Sequence, residues 1–155
     1  MSRFLAFAGP AVALLLGACT PQYVERVATS EQDLPERVAI FPGAPTVLRD
    51  SFRAACTDPG DQFVRVNRQI RQCRSLPTPD LAAFLLVQYD GALEVPKLII
   101  QTEERGTGSS VEVGFSYFAE VTQKSGGVRR IYFRDRQLDA FIDRLLVAAG
   151  GTLPG

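Results

Sequence analysis

Histidine is absent from the 155-residue sequence, and cysteine occurs only three times, at Cys19, Cys56 and Cys73. The absence of histidine excludes Ser-His-Asp and Cys-His nucleophilic sites and every zinc site that uses imidazole. No Cys-x-x-Cys pair, Gly-x-Ser-x-Gly elbow or Ser-x-x-Lys motif occurs either. The enzymatic alternative that remains is acid–base chemistry by two carboxylates, which needs only Asp or Glu.

An excess of charge of either sign is also lacking, since 17 basic residues balance 17 acidic ones. Arg3 is the only charged residue among residues 1–18, so the chain without them has 16 basic and 17 acidic residues. A near-neutral chain lacks the positive field of a nucleic-acid binder, so we expect no nucleic-acid partner. The length suits one domain, and an apolar content of 46% is enough for a modest core.

The first eighteen residues have the layout of a secretory signal peptide. Arg3 gives a positive start, the stretch 4–16 is apolar apart from Gly9-Pro10, and the small residues Gly17-Ala18 follow. An apolar stretch of thirteen residues is too short to cross a bilayer as a helix. The alternatives are an ordinary signal with a chance cysteine nearby, or an uncleaved membrane anchor.

The junction Leu16-Gly17-Ala18-Cys19 resembles the lipobox of bacterial lipoproteins, and all four positions match. The resemblance implies cleavage before Cys19 and lipid attachment to that cysteine, usually by three acyl chains, which makes membrane anchoring stable. Thr20 stands where an aspartate would favour inner-membrane retention in the enterobacterial pattern. The resemblance therefore implies a lipid-anchored envelope protein, on the outer membrane and facing the periplasm. It covers about the first twenty residues only.

Residues 19–37 read as a lipidated N-terminus followed by a polar, flexible tether. Residues 38–151 then predict a single α+β domain. The clearest element is a strand over 111–121, in which apolar residues alternate with polar ones such as Glu112 and Glu120. The predicted order is an edge strand or docking segment at 38–41, a helix at 46–56, a strand over 64–70, a helix from Thr78, strands at 97–104, 111–121 and 128–134, and a helix after Asp135.

Three successive strands joined by short turns indicate an antiparallel meander, with the helices on one face in a two-layer fold. One segment is ambiguous, because 84–89 also suits a strand that enters an Asp90-Gly91 hairpin turn. Pro96 would shorten the returning strand, so the helix is favoured. Gly106-Thr107-Gly108 is interpreted as a hairpin turn, since a dinucleotide loop would need a third glycine and a following helix.

Once Cys19 carries lipid, Cys56 and Cys73 remain as an even pair, which in an exported protein predicts a disulfide. The alternative is two buried thiols. Basic residues gather at Lys124, Arg129, Arg130, Arg134 and Arg136. They form either an electropositive edge for an anionic partner or a solvated hairpin side whose arginines pair with Glu112 and Glu120.

Glu103 and Glu104 are neighbours in a predicted strand and should point to opposite faces, so they cannot act as a catalytic pair. The leading hypothesis is therefore a non-catalytic lipoprotein, with no cofactor or metal, that binds another envelope component, most simply an envelope protein, or supports an assembly. An exposed apolar or basic patch would support it. The alternatives are a small-ligand or glycan binding module, which needs a lined cavity, and a carboxylate-based cell-wall hydrolase.

Overall fold

The computed structural model describes residues 35–106, 108–133 and 136–154. The predicted signal peptide, the lipobox and residues 20–34 of the tether lie outside the described residues. Within the described ranges the elements are β1 (Arg37–Phe41), α1 (Thr46–Ala55), β2 (Gln62–Arg65), β3 (Ile70–Ser75), α2 (Pro79–Gln88), β4 (Lys97–Arg105), β5 (Val111–Thr122), β6 (Val128–Tyr132) and α3 (Arg136–Ala148).

The long strand β5 pairs with three other strands in an antiparallel sheet whose order is β1-β5-β4-β3-β2. One edge of β5 pairs with β4 over most of its length. The other edge is shared, because β1 pairs with residues 111–115 and β6 pairs with residues 118–122. The predicted meander of β4, β5 and β6 is confirmed. It is extended by β1 on one side and by β3 and β2 on the other.

All three helices pack against one face of this sheet, which confirms the two-layer α+β prediction. Leu48 and Phe52 of α1 and Ile142 and Leu146 of α3 join the apolar side chains from the first half of β5. Leu85 of α2 joins those of the second half. The odd-numbered residues of β5 supply this face, because successive side chains of a strand alternate between the two sides.

The opposite face of the sheet carries a smaller cluster of Ile99, Phe118 and Tyr132. These residues come from neighbouring strands, since Phe118 is paired with both Ile99 and Tyr132. Beside them, the Gln72 side-chain amide donates to Gln101 Oε1 at 2.7 Å. This face is therefore more polar than the one that the helices cover.

One predicted strand was wrong, because the segment 64–70 is a hairpin and not a single strand. β2 ends at Arg65, the chain turns, and β3 begins at Ile70. Asn67 Oδ1 accepts hydrogen bonds from the backbone N–H groups of Gln69 and Ile70, both at 2.7 Å. Asn stabilises turns in this way. Arg68, which interrupts the alternation of the apolar residues Val64, Val66 and Ile70, lies in this turn.

The helix predicted after Thr78 is confirmed as α2, and the alternative strand at 84–89 is wrong. Pro79 occupies the first turn, where its missing N–H costs no hydrogen bond. In α1, Leu48 is buried against the sheet, whereas Val47 is 59% exposed. Residues 35–37, assigned to the tether from sequence, pack with the domain: Pro35 is buried and Arg37 starts β1.

Candidate interaction surface at the α2 end of the sheet

The two cysteines of the domain form a disulfide, as the sequence predicts. Cys56 follows α1 and Cys73 lies in β3, with their Cα atoms 5.7 Å apart and an S–S distance of 2.01 Å. The bond joins a helix to the sheet beneath it. Asp61 has a carboxylate oxygen within 4.8 Å of both sulfur atoms, but disulfide sulfurs are not thiolates and do not suit a metal. This cluster is therefore a structural one.

Glu103 and Glu104 lie on opposite faces of β4. The carboxylate of Glu104 is buried and accepts hydrogen bonds from Arg49 of α1, with Nε at 2.7 Å, and from Arg71. Burial alone would raise the pKa of Glu104, but the Arg49 hydrogen bond and the charges of Arg71 and Arg49 lower it overall. Glu103 pairs instead with Arg105 at 3.3 Å. These two acids form separate ion pairs and do not face one another.

The predicted basic patch is divided between several sites. Lys124 Nζ lies 2.8 Å from Asp90 Oδ1 in the loop after α2. The guanidinium of Arg129 lies 5.2 Å from the centre of the Tyr89 ring, a cation–π contact on the helix-covered face. The side chain of Arg130 lies on the opposite face of the sheet, the one that carries Ile99, Phe118 and Tyr132.

There, Arg130 Nε is 3.1 Å from Glu120 Oε1. Glu112, the other expected acidic partner, lies 3.3 Å from Arg105. Arg134 lies outside the described residues, and Arg136 is the exposed first residue of α3. Neighbouring arginines of one strand therefore point apart and form no single basic face.

A different surface stands out at one end of the sheet, where β3 and β5 finish and β4 and β6 begin. The register places Ser75 beside Leu98, Lys97 beside Glu120, and Thr122 beside Val128. The helix α2 and the loop 89–96 connect β3 to β4 at this end. We refer to it as the α2 end.

The helix α2 is apolar nearly all the way round, with the sequence PDLAAFLLVQ. Leu85 is completely buried against the sheet, whereas Val87 is 86% exposed and Phe84 is 44% exposed. A surface helix ordinarily turns polar residues outward, and a helix that is apolar on every side is ordinarily buried. α2 therefore presents apolar residues to the surroundings as well as to the core.

Backbone hydrogen bonds fix the loop that follows α2, and the side chain of Leu93 in this loop is exposed. Gly91 N–H donates to Leu86 O at 2.8 Å, and Ala92 N–H donates to Thr122 O at 2.7 Å. A side chain at Gly91 would collide with Leu86, whose Cδ2 lies 2.6 Å from the Cβ position. Leu93 is 101% exposed and Val95 is 60% exposed. The loop is thus bonded to the end of β5 while its apolar side chains project away from the domain.

Six of the eleven exposed large apolar side chains of the described residues lie at the α2 end. They are Leu76, Phe84, Val87, Leu93, Val95 and Val128. The sequence signal for this surface is the run 81–87, which contains no polar residue. From sequence alone this run indicates only a helix or a strand, because nothing local distinguishes a buried side of such a helix from an exposed one.

Comparison of the sequence with protein-family models gave no match, and neither did searches of curated proteins and of solved structures. Among the residues that the structure describes, no helix has the length and apolar character needed to cross a membrane.

Proposed function

We propose that the chain is a lipid-anchored envelope protein, held through Cys19 on the outer membrane facing the periplasm. Its small domain acts by binding another envelope component at the α2 end, and not by catalysis. The observation that carries the proposal is the strong exposure of Val87, Leu93 and Val95, which all belong to α2 or to the loop that follows it at the α2 end. Contiguous apolar patches on soluble domains are typical of surfaces that bind something.

The energetics favour a covered state of this surface. Removing a fully exposed leucine or valine side chain from water stabilises by about 1.5–3 kcal/mol. Several such side chains at one end of a small domain favour association with an apolar partner. The loop hydrogen bonds to Thr122 limit the alternative, in which Leu93 folds back onto its own core.

The lipid anchor is tested by labelling cells that express the full chain with an alkyne-bearing fatty acid. We expect the label on the wild-type protein and none on Cys19→Ala, with the wild type in the outer-membrane fraction. The matched control is the double variant Cys56→Ala, Cys73→Ala. These two cysteines form the disulfide, so their replacement should leave the labelling unchanged. Labelling that survives Cys19→Ala would contradict the anchor.

The binding surface is tested by placing a photo-crosslinking amino acid at Val87 or Leu93 in cells. The matched control is Val47, an exposed valine on α1, which lies over the other half of β5. We expect adducts of the protein with an envelope component from positions 87 and 93 and none from 47. Equal yields at all three positions would show that the α2 end is not a specific surface.

A further inference from the structure

The direction of β1 shows on which side of the domain the described chain begins. β1 runs antiparallel to β5, with Arg37 beside Phe115 and Phe41 beside Val111. Pro35 and Glu36 therefore precede β1 on the side of the second half of β5, which α2 covers. The side chain of Glu36 lies over Gly114, where a Cβ would collide with its carboxylate, and is paired with Arg105. These contacts fix where the tether enters the domain.

Distances allow the anchor and the α2 end to reach the same bilayer. From Phe115 to the end of β5 at Thr122 the strand rises about 24 Å, at roughly 3.4 Å per residue. The segment from Cys19 to Pro35 spans at most roughly 55 Å when extended. A chain anchored at Cys19 can therefore lie with its α2 end against the membrane and still have slack.

The chemistry of the α2 end suits the boundary between headgroups and acyl chains. Leu93 and Val87 are the most exposed apolar side chains there, and Lys124 lies in the adjoining turn, whereas Lys97 lies at the same end of the sheet but on the opposite face, beside Glu120. Apolar side chains inserted to a shallow depth, with lysines at headgroup level, are typical of interfacial membrane contact. Asp90 and Glu94 also border the surface, so attraction to anionic lipid should be modest and apolar insertion should dominate.

We propose that the α2 end rests on the bilayer that holds the Cys19 lipid, with Leu93 and Val87 inserted into it. This inference rests on the proposed function and names the envelope component as the lipid surface. It makes the domain a two-point membrane attachment, in which the lipid chains anchor and the α2 end sets the orientation. The sheet face with Ile99, Phe118 and Tyr132 is the face opposite to the helices.

The sequence contains no tryptophan, so a single introduced tryptophan reports on one position. The natively lipidated full chain carrying Leu93→Trp is placed in vesicles of phosphatidylethanolamine and phosphatidylglycerol with brominated acyl chains. We expect emission at shorter wavelength and quenching several-fold stronger than for Val47→Trp. Val87→Trp should also be quenched, and adding Leu93→Asp to that variant should reduce its quenching to the level of the control.

Vesicle flotation separates the two proposals. A chain that floats with the vesicles but shows equal, weak quenching at 93, 87 and 47 overturns the membrane contact and leaves the anchored binding domain standing. A cellular photo-crosslink from Leu93 mainly to a protein does the same. A natively prepared chain that does not float refutes the anchor itself. Matching far-ultraviolet circular dichroism of the variants confirms that the exposed substitutions leave the fold intact.

Discussion

The two halves of β5 are covered in opposite ways. Over the first half, α1 and α3 bury a few apolar residues and turn charged ones outward or into ion pairs, such as Arg37 with Asp143 at 2.8 Å. Over the second half, α2 is apolar on both sides and leaves Val87 in the surroundings. The same sheet face thus carries one region whose helices leave only half-exposed apolar side chains, at Val47, Phe141 and Val147, and one region in which Val87 and Leu93 are almost fully exposed.

This difference separates stability from binding. The first region holds the disulfide, the Arg49–Glu104–Arg71 ion cluster and edge-to-face contacts of Phe52 with Phe63 and Phe115. Each of these contacts stabilises the fold. The exposed apolar groups of the second region contribute little to folding, because they stay in water in the folded state. Substitutions in the two regions should therefore have different consequences.

The largest effect is expected inside α2 itself, where the two roles lie two residues apart. Leu85→Ala should lower the free energy of unfolding by roughly 2–5 kcal/mol, because it opens a cavity under a completely buried side chain. Val87→Ala should change it by less than about 0.5 kcal/mol. Urea denaturation of both variants measures the difference. Equal losses would mean that Val87 is also covered within the chain.

Loss of the disulfide should produce the second-largest decrease in the free energy of unfolding. Replacing both Cys56 and Cys73 by Ala should lower the free energy of unfolding by about 3 kcal/mol, since the unfolded chain regains the entropy of a short closed loop. The measurement is urea denaturation of wild type and variant under oxidising conditions. Reduction of the wild type with dithiothreitol is the control and should produce a similar loss. The folded fraction of the double variant should still give photo-crosslinks from position 93.

The ion cluster should make stability depend on pH. The folded pKa of Glu104 lies below its unfolded value, so its contribution is present above about pH 4.3 and is lost as pH falls through the folded pKa. Glu104→Gln should cost about 2 kcal/mol at neutral pH and flatten this acid dependence. Asp90→Asn, at an exposed pair, should retain the wild-type profile. An unchanged acid limb in Glu104→Gln would contradict the assignment.

The smallest effect is expected at the divided basic patch. Arg130→Gln removes a pair with Glu120 in which the arginine side chain is half exposed, so the stability change should be within about 0.5 kcal/mol. Thermal or urea unfolding at low and high salt checks this value. A loss well above 1 kcal/mol, or loss of a bound partner in crosslinking, would give this arginine a larger role than the structure indicates.

Much of the fold could be predicted from local patterns. The alternation over 111–121 indicated the central strand, and Thr78-Pro79-Asp80 indicated the start of α2. The hairpin at Asn67 was not predicted, because two short strands of similar composition resemble one strand in which the alternation of apolar and polar residues is interrupted once. The two interpretations of the basic residues could not be separated from sequence; residues adjacent in sequence, such as Arg129 and Arg130, take opposite faces in a strand.

The sequence by itself indicated the class of fold, favoured a disulfide between Cys56 and Cys73, and excluded histidine chemistry. These follow from composition and short-range spacing, which act through backbone geometry and turn chemistry. Only the tertiary structure decided which apolar residues remain outside. Leu85 and Val87 are similar in sequence terms, and their different burial depends on where β5 and β6, distant in the chain, come to lie beneath α2. Burial is a property of that packing, so the α2 end could not be recognised before the fold.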